Sequence, residues 1–193
     1  TNVTGTCLTS DQLIVHVNPL PVVDAGANFN MCLNESPITL TATPLGGTWT
    51  GVGTVIGSNT FDPSLAGTGN FILTYSYTDP TTNCSNSDTR EVIVHAIPIV
   101  DAGLDLNLCN QAIPTTLTAT PIGGTWSGIG TSNSPAEFTP NGPGTYPLTY
   151  TFTDVNSCTN QDEINAIVID AVTADAGLDS TICIDAVDIQ LTG

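Results

Sequence analysis

Residues 39–53 read TLTATPLGGTWTGVG, and residues 116–130 read TLTATPIGGTWSGIG. In each copy Leu, Ala and Thr alternate with period two, the pattern of a strand with one buried face. A Pro-x-Gly-Gly turn follows, and Thr-Trp-Thr or Thr-Trp-Ser then begins a second strand. A tract of this length returning nearly unchanged marks an internal repeat, which decides the fold before any single element does.

Working outward, other landmarks recur at the same interval. Asp24-Ala25-Gly26 returns as Asp101-Ala102-Gly103 and again as Asp175-Ala176-Gly177. Each is followed, eight positions after its Asp, by an early cysteine: Cys32, Cys109 and Cys183. LTYSYTD at 73–79 returns as LTYTFTD at 148–154, and a late cysteine series runs Cys7, Cys84, Cys158. Both cysteine series are spaced by 77 and then 74 residues. The expected division is therefore a tail of one repeat at 1–18, whole repeats at 20–97 and 98–171, and the head of another at 172–193. A lone tail strand and a lone head strand do not fold independently, so the expected context is a longer array. The period is too long for a solenoid turn or a propeller blade and suits a small sandwich. Strands are expected before Cys32 and over 38–43, 48–52, 71–78 and 91–96, with a weak one near Thr60 and essentially no helix. The prolines of Pro19-Leu20-Pro21 and Ile97-Pro98 stiffen the joints.

Composition agrees with an all-β reading and narrows the function. Of 193 residues 40% are hydrophobic and 10% charged, with 18 glycines and 13 prolines. Eighteen acidic residues face a single cation, Arg90, for a net charge of −17. Such a surface repels phosphate backbones and anionic membranes, which argues against nucleic acid as a partner. No apolar run approaches the 18 or more residues of a membrane helix. Neither a Gly-x-Ser-x-Gly, nor a His-Glu-x-x-His, nor a phosphate-binding loop is present, so an enzyme is not expected. His16 and His95 have Ile169 or Asp170 at the corresponding place, and they read as joint residues.

The run Pro143-Gly144-Thr145-Tyr146 through residues 148–154 resembles the late strands of the polycystic-kidney-disease (PKD) domain, an immunoglobulin-like sandwich. The Asp-Ala-Gly start, its following cysteine, Gly-Gly-Thr-Trp and the late cysteine together resemble the PKD-like and hyalin-like repeats of giant Bacteroidota surface proteins, gliding-motility adhesins among them. The resemblance departs at Gly46-Gly47-Thr48-Trp49, where the PKD family carries a different Trp-containing tract. It implies tandem immunoglobulin-like (PKD-like) β-sandwich repeats, extracellular at the cell surface, exported by a type IX route. It further implies that the repeats serve as a structural stalk projecting an adhesive tip, with neighbouring repeats, surface glycans or other adhesin chains as partners. Glycan-binding modules, or accessory domains of a large secreted hydrolase, are the alternatives.

Three groups of residues are candidates for a site. The cysteines, even in number and without a Cys-x-x-Cys pair, point to disulfides in an oxidising compartment. Pairing within each repeat, Cys32–Cys84 and Cys109–Cys158, is the favoured scheme, with Cys7 and Cys183 paired outside these residues. Pairing across repeats (Cys7–Cys32, Cys84–Cys109, Cys158–Cys183) is the competitor, and an end-to-end array would hold those atoms beyond the ~7 Å a disulfide spans. Trp49 and Trp126 read as packing residues ahead of sugar platforms, and so do Tyr75 and Tyr150. The acidic residues Asp101, Asp105 and Asp154, and more weakly Asp24 and Asp79, are expected at one pole. Hard oxygen ligands there suit calcium, the one cofactor suggested, while capping of turns is the plainer role.

Overall fold

The computed structural model of the chain describes residues 11–111, 113–170 and 172. The chain divides into two units, Thr1–Ala96 and Ile97–Gly193, each of which is a two-sheet sandwich.

The first unit holds β1 (Phe29–Cys32), β2 (Ile38–Thr39), β3 (Thr48–Thr50), β4 (Thr60–Phe61), the four-residue helix α1 (Pro63–Ala66), β5 (Gly69–Thr78) and β6 (Ser85–His95). One sheet runs β1-β6-β5-β3 and the other is β2-β4. The first strand pairs parallel to the last, Phe29 to Val92 through Cys32 to His95, while β5 and β6 form a long antiparallel hairpin. The second unit repeats this with β7 (Leu106–Cys109), β8 (Thr115–Thr116), β9 (Thr125–Ser127), β10 (Thr131–Asn133), β11 (Ala136–Phe138), β12 (Gly144–Thr153) and β13 (Thr159–Ile169). Its sheets are β7-β13-β12-β9 and β10-β11-β8. Second, fifth and fourth strands on one side, with third, sixth and seventh on the other, is the immunoglobulin arrangement. All-β, immunoglobulin-like sandwiches in tandem are what the strand order shows.

The cores follow from the period-two pattern. Leu73 and Tyr75 on β5, and Leu148 and Tyr150 on β12, point inward against Leu40, Phe61, Val92 and Val94 or Leu117, Phe138, Ala166 and Val168. Trp49 and Trp126 are buried on the third strand, tilted against Tyr75 and Tyr150 at 5.1 and 5.2 Å between ring centres. That confirms them as packing residues, at the place where an immunoglobulin domain keeps its core tryptophan.

The Pro-x-Gly-Gly turn is held by the same tyrosine. The Tyr75 hydroxyl donates to the Pro44 carbonyl at 2.6 Å and accepts the Gly47 N–H at 2.7 Å; Tyr150 does the same with Pro121 and Gly124, each at 2.6 Å. Only glycine fits at 47 and 124, because a Cβ there would overlap the tyrosine ring and the carbonyl of Ser76 or Thr151. The Asp-Ala-Gly start is equally determined. Asp24 and Asp101 accept the N–H of Gly26 and Gly103, which take φ of +80° and +88°, a conformation suited to glycine.

Two expectations change. The last strand begins at Ser85, six residues earlier than its apolar pattern suggested. A helical turn, capped by Asp62 on the Ser64 N–H at 2.9 Å, also stands where none was expected. Residues 11–18 of the expected tail are exposed and carry no strand. Leu13 and Val15 there, 89% and 72% exposed, answer in sequence to Val92 and Val94, which are 0% and 2% exposed. Residues 173–193 of the expected head, and the cysteines Cys7 and Cys183, lie outside the described residues.

Candidate functional site

The early half of β6 and β13 was hidden from the sequence reading because its inward side chains are polar. Asn86, Asp88 and Arg90 alternate along one face of β6, and all three bind the incoming backbone. The Asn86 amide donates to the Pro21 carbonyl at 2.9 Å, the Asp88 carboxylate accepts the Ala25 N–H at 2.8 Å, and Arg90 Nη1 donates to the Ala25 carbonyl at 3.3 Å. In the second unit Asn160 donates to the Pro98 carbonyl at 2.9 Å and Asp162 accepts the Ala102 N–H at 2.8 Å. One rung further, the Glu91 N–H donates to the Asn28 side-chain oxygen and the Asn165 N–H to Asp105, each at 2.8 Å. The signal was present as Asn-x-Asp, at 86–88 and again at 160–162. These ladders fasten the proline-bearing joint to the last strand, so the joint segment is part of each sandwich. The Ala25 N–H bond is also the main reason the Asp88 carboxyl titrates below the usual range.

The ladders also fix where each unit begins and ends. The chain arrives beside the start of the last strand, at Asn86 or Asn160, and leaves from its far end, beyond His95 or Ile169. Eleven residues of strand separate these poles, a distance of about 36 Å.

That geometry overturns the favoured disulfide scheme. Cys32 is level with His95 and Cys109 with Ile169, at the downstream pole. Cys84 and Cys158 immediately precede the last strand, at the upstream pole. A Cys32–Cys84 or Cys109–Cys158 bond would have to span the length of the strand, several times the reach of a disulfide. Correspondingly, Cys84 and Cys109 are free thiols while Cys32 and Cys158 are each disulfide-bonded. Early and late cysteines lie at opposite ends of one long strand, which spacing in sequence does not reveal.

The acidic residues are likewise dispersed. Asp154 caps the turn ahead of β13, accepting the Asn156 and Cys158 N–H groups at 2.9 and 2.8 Å. Asp105 meets Asn165, six residues into the strand beyond Thr159, or about 20 Å away. Asp101 lies between them, next to the Ala102 that Asp162 holds. In the first unit Asp79 caps its own turn through the Thr81 N–H at 2.7 Å, and Asp24 caps Gly26. The expected trio Asp101, Asp105 and Asp154 is therefore not brought together, and among the described residues no three His, Cys, Asp or Glu side chains form a group that could hold a metal. No helix among them is long and apolar enough to cross a membrane.

The strand order and the strapped joint define a class, tandem immunoglobulin-like sandwich repeats. No protein family and no curated protein matches the sequence. Among solved structures the chain is similar to a three-domain immunoglobulin segment of titin, a Glu-to-Ala variant, with TM-score 0.33 and 14% identity over 76% of this chain and 64% of that one. It is also similar to the N-terminal four immunoglobulin domains of Dscam1 isoform 4.44, with TM-score 0.26 and 11% identity over 79% and 45%. Overlays this loose carry no argument, and the fold rests on strand order.

Proposed function

We propose that the chain is a segment of a stalk, a run of strapped sandwich spacers in a large exported surface adhesin or filament. The observation that carries this reading is the placement of the chain's arrival and departure at opposite poles of each unit, with the joint tied into the sandwich by Asn86 and Asp88 or Asn160 and Asp162. A domain with this layout adds a strand length of reach per repeat, and its short proline-bearing joints limit bending. Oxidised cysteines fit an extracellular setting, and the charge of −17 keeps a long repetitive chain soluble and self-repelling. The partners of such a segment are its neighbouring repeats, with glycans or other adhesin chains meeting the tip. Solution scattering tests the spacer role. Inserting a further copy of residues 98–171 after position 171 should lengthen the particle by about 36 Å, one last-strand length. An increase of only a few ångströms, from units folding back on one another, would overturn it.

A further inference from the structure

We propose that Asn141, in the second unit, is a site of spontaneous modification, where the chain converts its own asparagine to aspartate and isoaspartate with water as the only co-reactant. Asn141 is the only asparagine of the sequence that a glycine follows. It is exposed in the loop between β11 and β12. Gly142 takes φ of +107°, and a Cβ built on it would meet nothing within 4 Å, so no side chain crowds the nitrogen. Neither the Asn141 carboxamide nor the Gly142 N–H has a hydrogen-bond partner among the described residues. Nothing holds that nitrogen away from the side-chain carbonyl one residue before it.

Hydrogen bonding sets this asparagine apart from others of its unit. Asn133 commits both side-chain polar atoms to the Trp126 backbone, at 2.6 and 2.8 Å, and Asn160 holds the Pro98 carbonyl. Asn156 is exposed like Asn141 and is followed by a serine, yet the Ser157 N–H is bonded to the Asp154 carbonyl at 3.1 Å. Its neighbouring nitrogen is occupied where that of Gly142 is open. The first unit has no counterpart. Between β4 and β5 it carries the helical turn α1, and residues 62–68 include no asparagine.

The step balances without an oxidant or a second substrate. The Gly142 backbone nitrogen attacks Cγ of the Asn141 side chain. The N–Cγ bond forms, the Cγ–Nδ2 bond breaks, and the displaced amide leaves as ammonia, taking the glycine proton. Water then opens the cyclic imide at either carbonyl. Opening at Cγ gives aspartate. Opening at the main-chain carbonyl gives isoaspartate, through which the backbone runs one atom longer. Each product adds a negative charge to a chain already at −17. The longer backbone also displaces the Gly142 carbonyl, to which the Tyr146 hydroxyl donates at 2.8 Å. Tyr146 rests on Phe138, with 5.4 Å between ring centres, and Phe138 is fully buried. A change in an exposed loop thus reaches the core of the second unit. Irreversible chemistry of this kind accumulates with the age of the protein, and it stands on the second unit alone, independently of the stalk reading.

Ageing the 193-residue chain at neutral and at mildly alkaline pH tests the site. The imide forms from the deprotonated glycine nitrogen, so conversion should be faster at the alkaline pH. Cleavage after acidic residues isolates residues 138–154, whose one asparagine is Asn141, and residues 155–162, which hold Asn156. Part of the first peptide should now be cut after residue 141, at the new aspartate. The rest of the converted material should stay whole, with the mass of an acid over an amide, and should take the label of isoaspartyl methyltransferase. The 155–162 peptide should be unchanged over the same time. Asn141→Gln should lose both signals and keep the fold. Amide exchange in the aged parent should quicken in β12 and stay as it was in β5. An unconverted 138–154 peptide, or earlier conversion of 155–162, would overturn the site. Conversion without the isoaspartyl label, or without faster exchange in β12, would overturn its reach into the core.

Discussion

The two units keep one frame, and one of the places where their cores differ is a matched pair of residues. In the first, Arg90 is half-buried with its guanidinium 4.4 Å above the Phe29 ring and 5.8 Å from Trp49. In the second, Ile164 is 3% exposed and Leu106 stands where Phe29 was. Arginine goes with phenylalanine, and isoleucine with leucine. The same backbone site holds a cation where the Phe29 ring receives it and an aliphatic chain where Leu106 replaces that ring, the tryptophan being common to both units. Burial pushes the Arg90 guanidinium down from its usual pKa, and its Nε is buried without a partner among the described residues. The only positive charge in the chain is thus held by ring faces and one carbonyl, with no ion pair of its own in the ladder.

The comparison can be broken most sharply by exchanging the pair. Ile164→Arg should destabilise the second unit by about 3 kcal/mol or more, because Leu106 offers no ring at the nearer contact and the more distant Trp126 alone does not compensate the charge. Arg90→Ile should change the first unit by no more than about 1 kcal/mol, losing ring contacts while relieving the unpartnered Nε. Urea unfolding with amide exchange assigned to each unit reads both. Equal costs in the two units would show that the rings do not matter.

The tyrosine clamp should behave identically in both. Tyr75→Phe and Tyr150→Phe each leave a glycine N–H and a proline carbonyl without their shared partner, at about 1–3 kcal/mol. A clear difference between the units in the same unfolding assay would mean that the turns are held by something other than the hydroxyl.

A pH titration sharpens the ladder. The folded Asp88 carboxyl lies below its unfolded value of about 3.8, chiefly through the Ala25 N–H. Its contribution is therefore present above that value and fades as pH falls through the lower, folded one. Asp88→Asn keeps an oxygen for the Ala25 N–H but removes the titration, so the acid-side decline of the first unit's stability should flatten between pH 5 and 2. An unchanged decline would assign it to other carboxylates.

The smallest effect is expected where the units exchange Asn28 and Asp105. Both accept one backbone N–H at the same rung, at 2.8 Å, so Asp105→Asn and Asn28→Asp should each shift stability by under about 0.5 kcal/mol. Melting with and without millimolar calcium should show Asp105→Asn and the parent responding alike. A calcium-dependent rise confined to the parent would restore Asp105 as a ligand.

Several features were legible before any coordinates. The repeat, the all-β class, the third-strand tryptophans and the approximate places of the six strands of the first unit follow from period-two alternation and from tracts that recur. Those signals are local, since neighbouring side chains on a strand already encode which face is buried. Asn86, Asp88, Asn160 and Asp162 were passed over because a polar inward face imitates a loop until the backbone it binds is known. The carboxylates of Asp101, Asp105 and Asp154 could be counted but not located.

The module is written in the residues themselves: its period, its cysteine positions and the glycines and tyrosine that shape its turn. Which residues meet is a matter of how the strands pair. Pairing the first strand parallel to the last carries Cys32 to the downstream pole, while the β5–β6 hairpin leaves Cys84 at the upstream one. Those two pairings set distances between residues far apart in the chain, and a disulfide obeys distance, on which spacing in the sequence is silent.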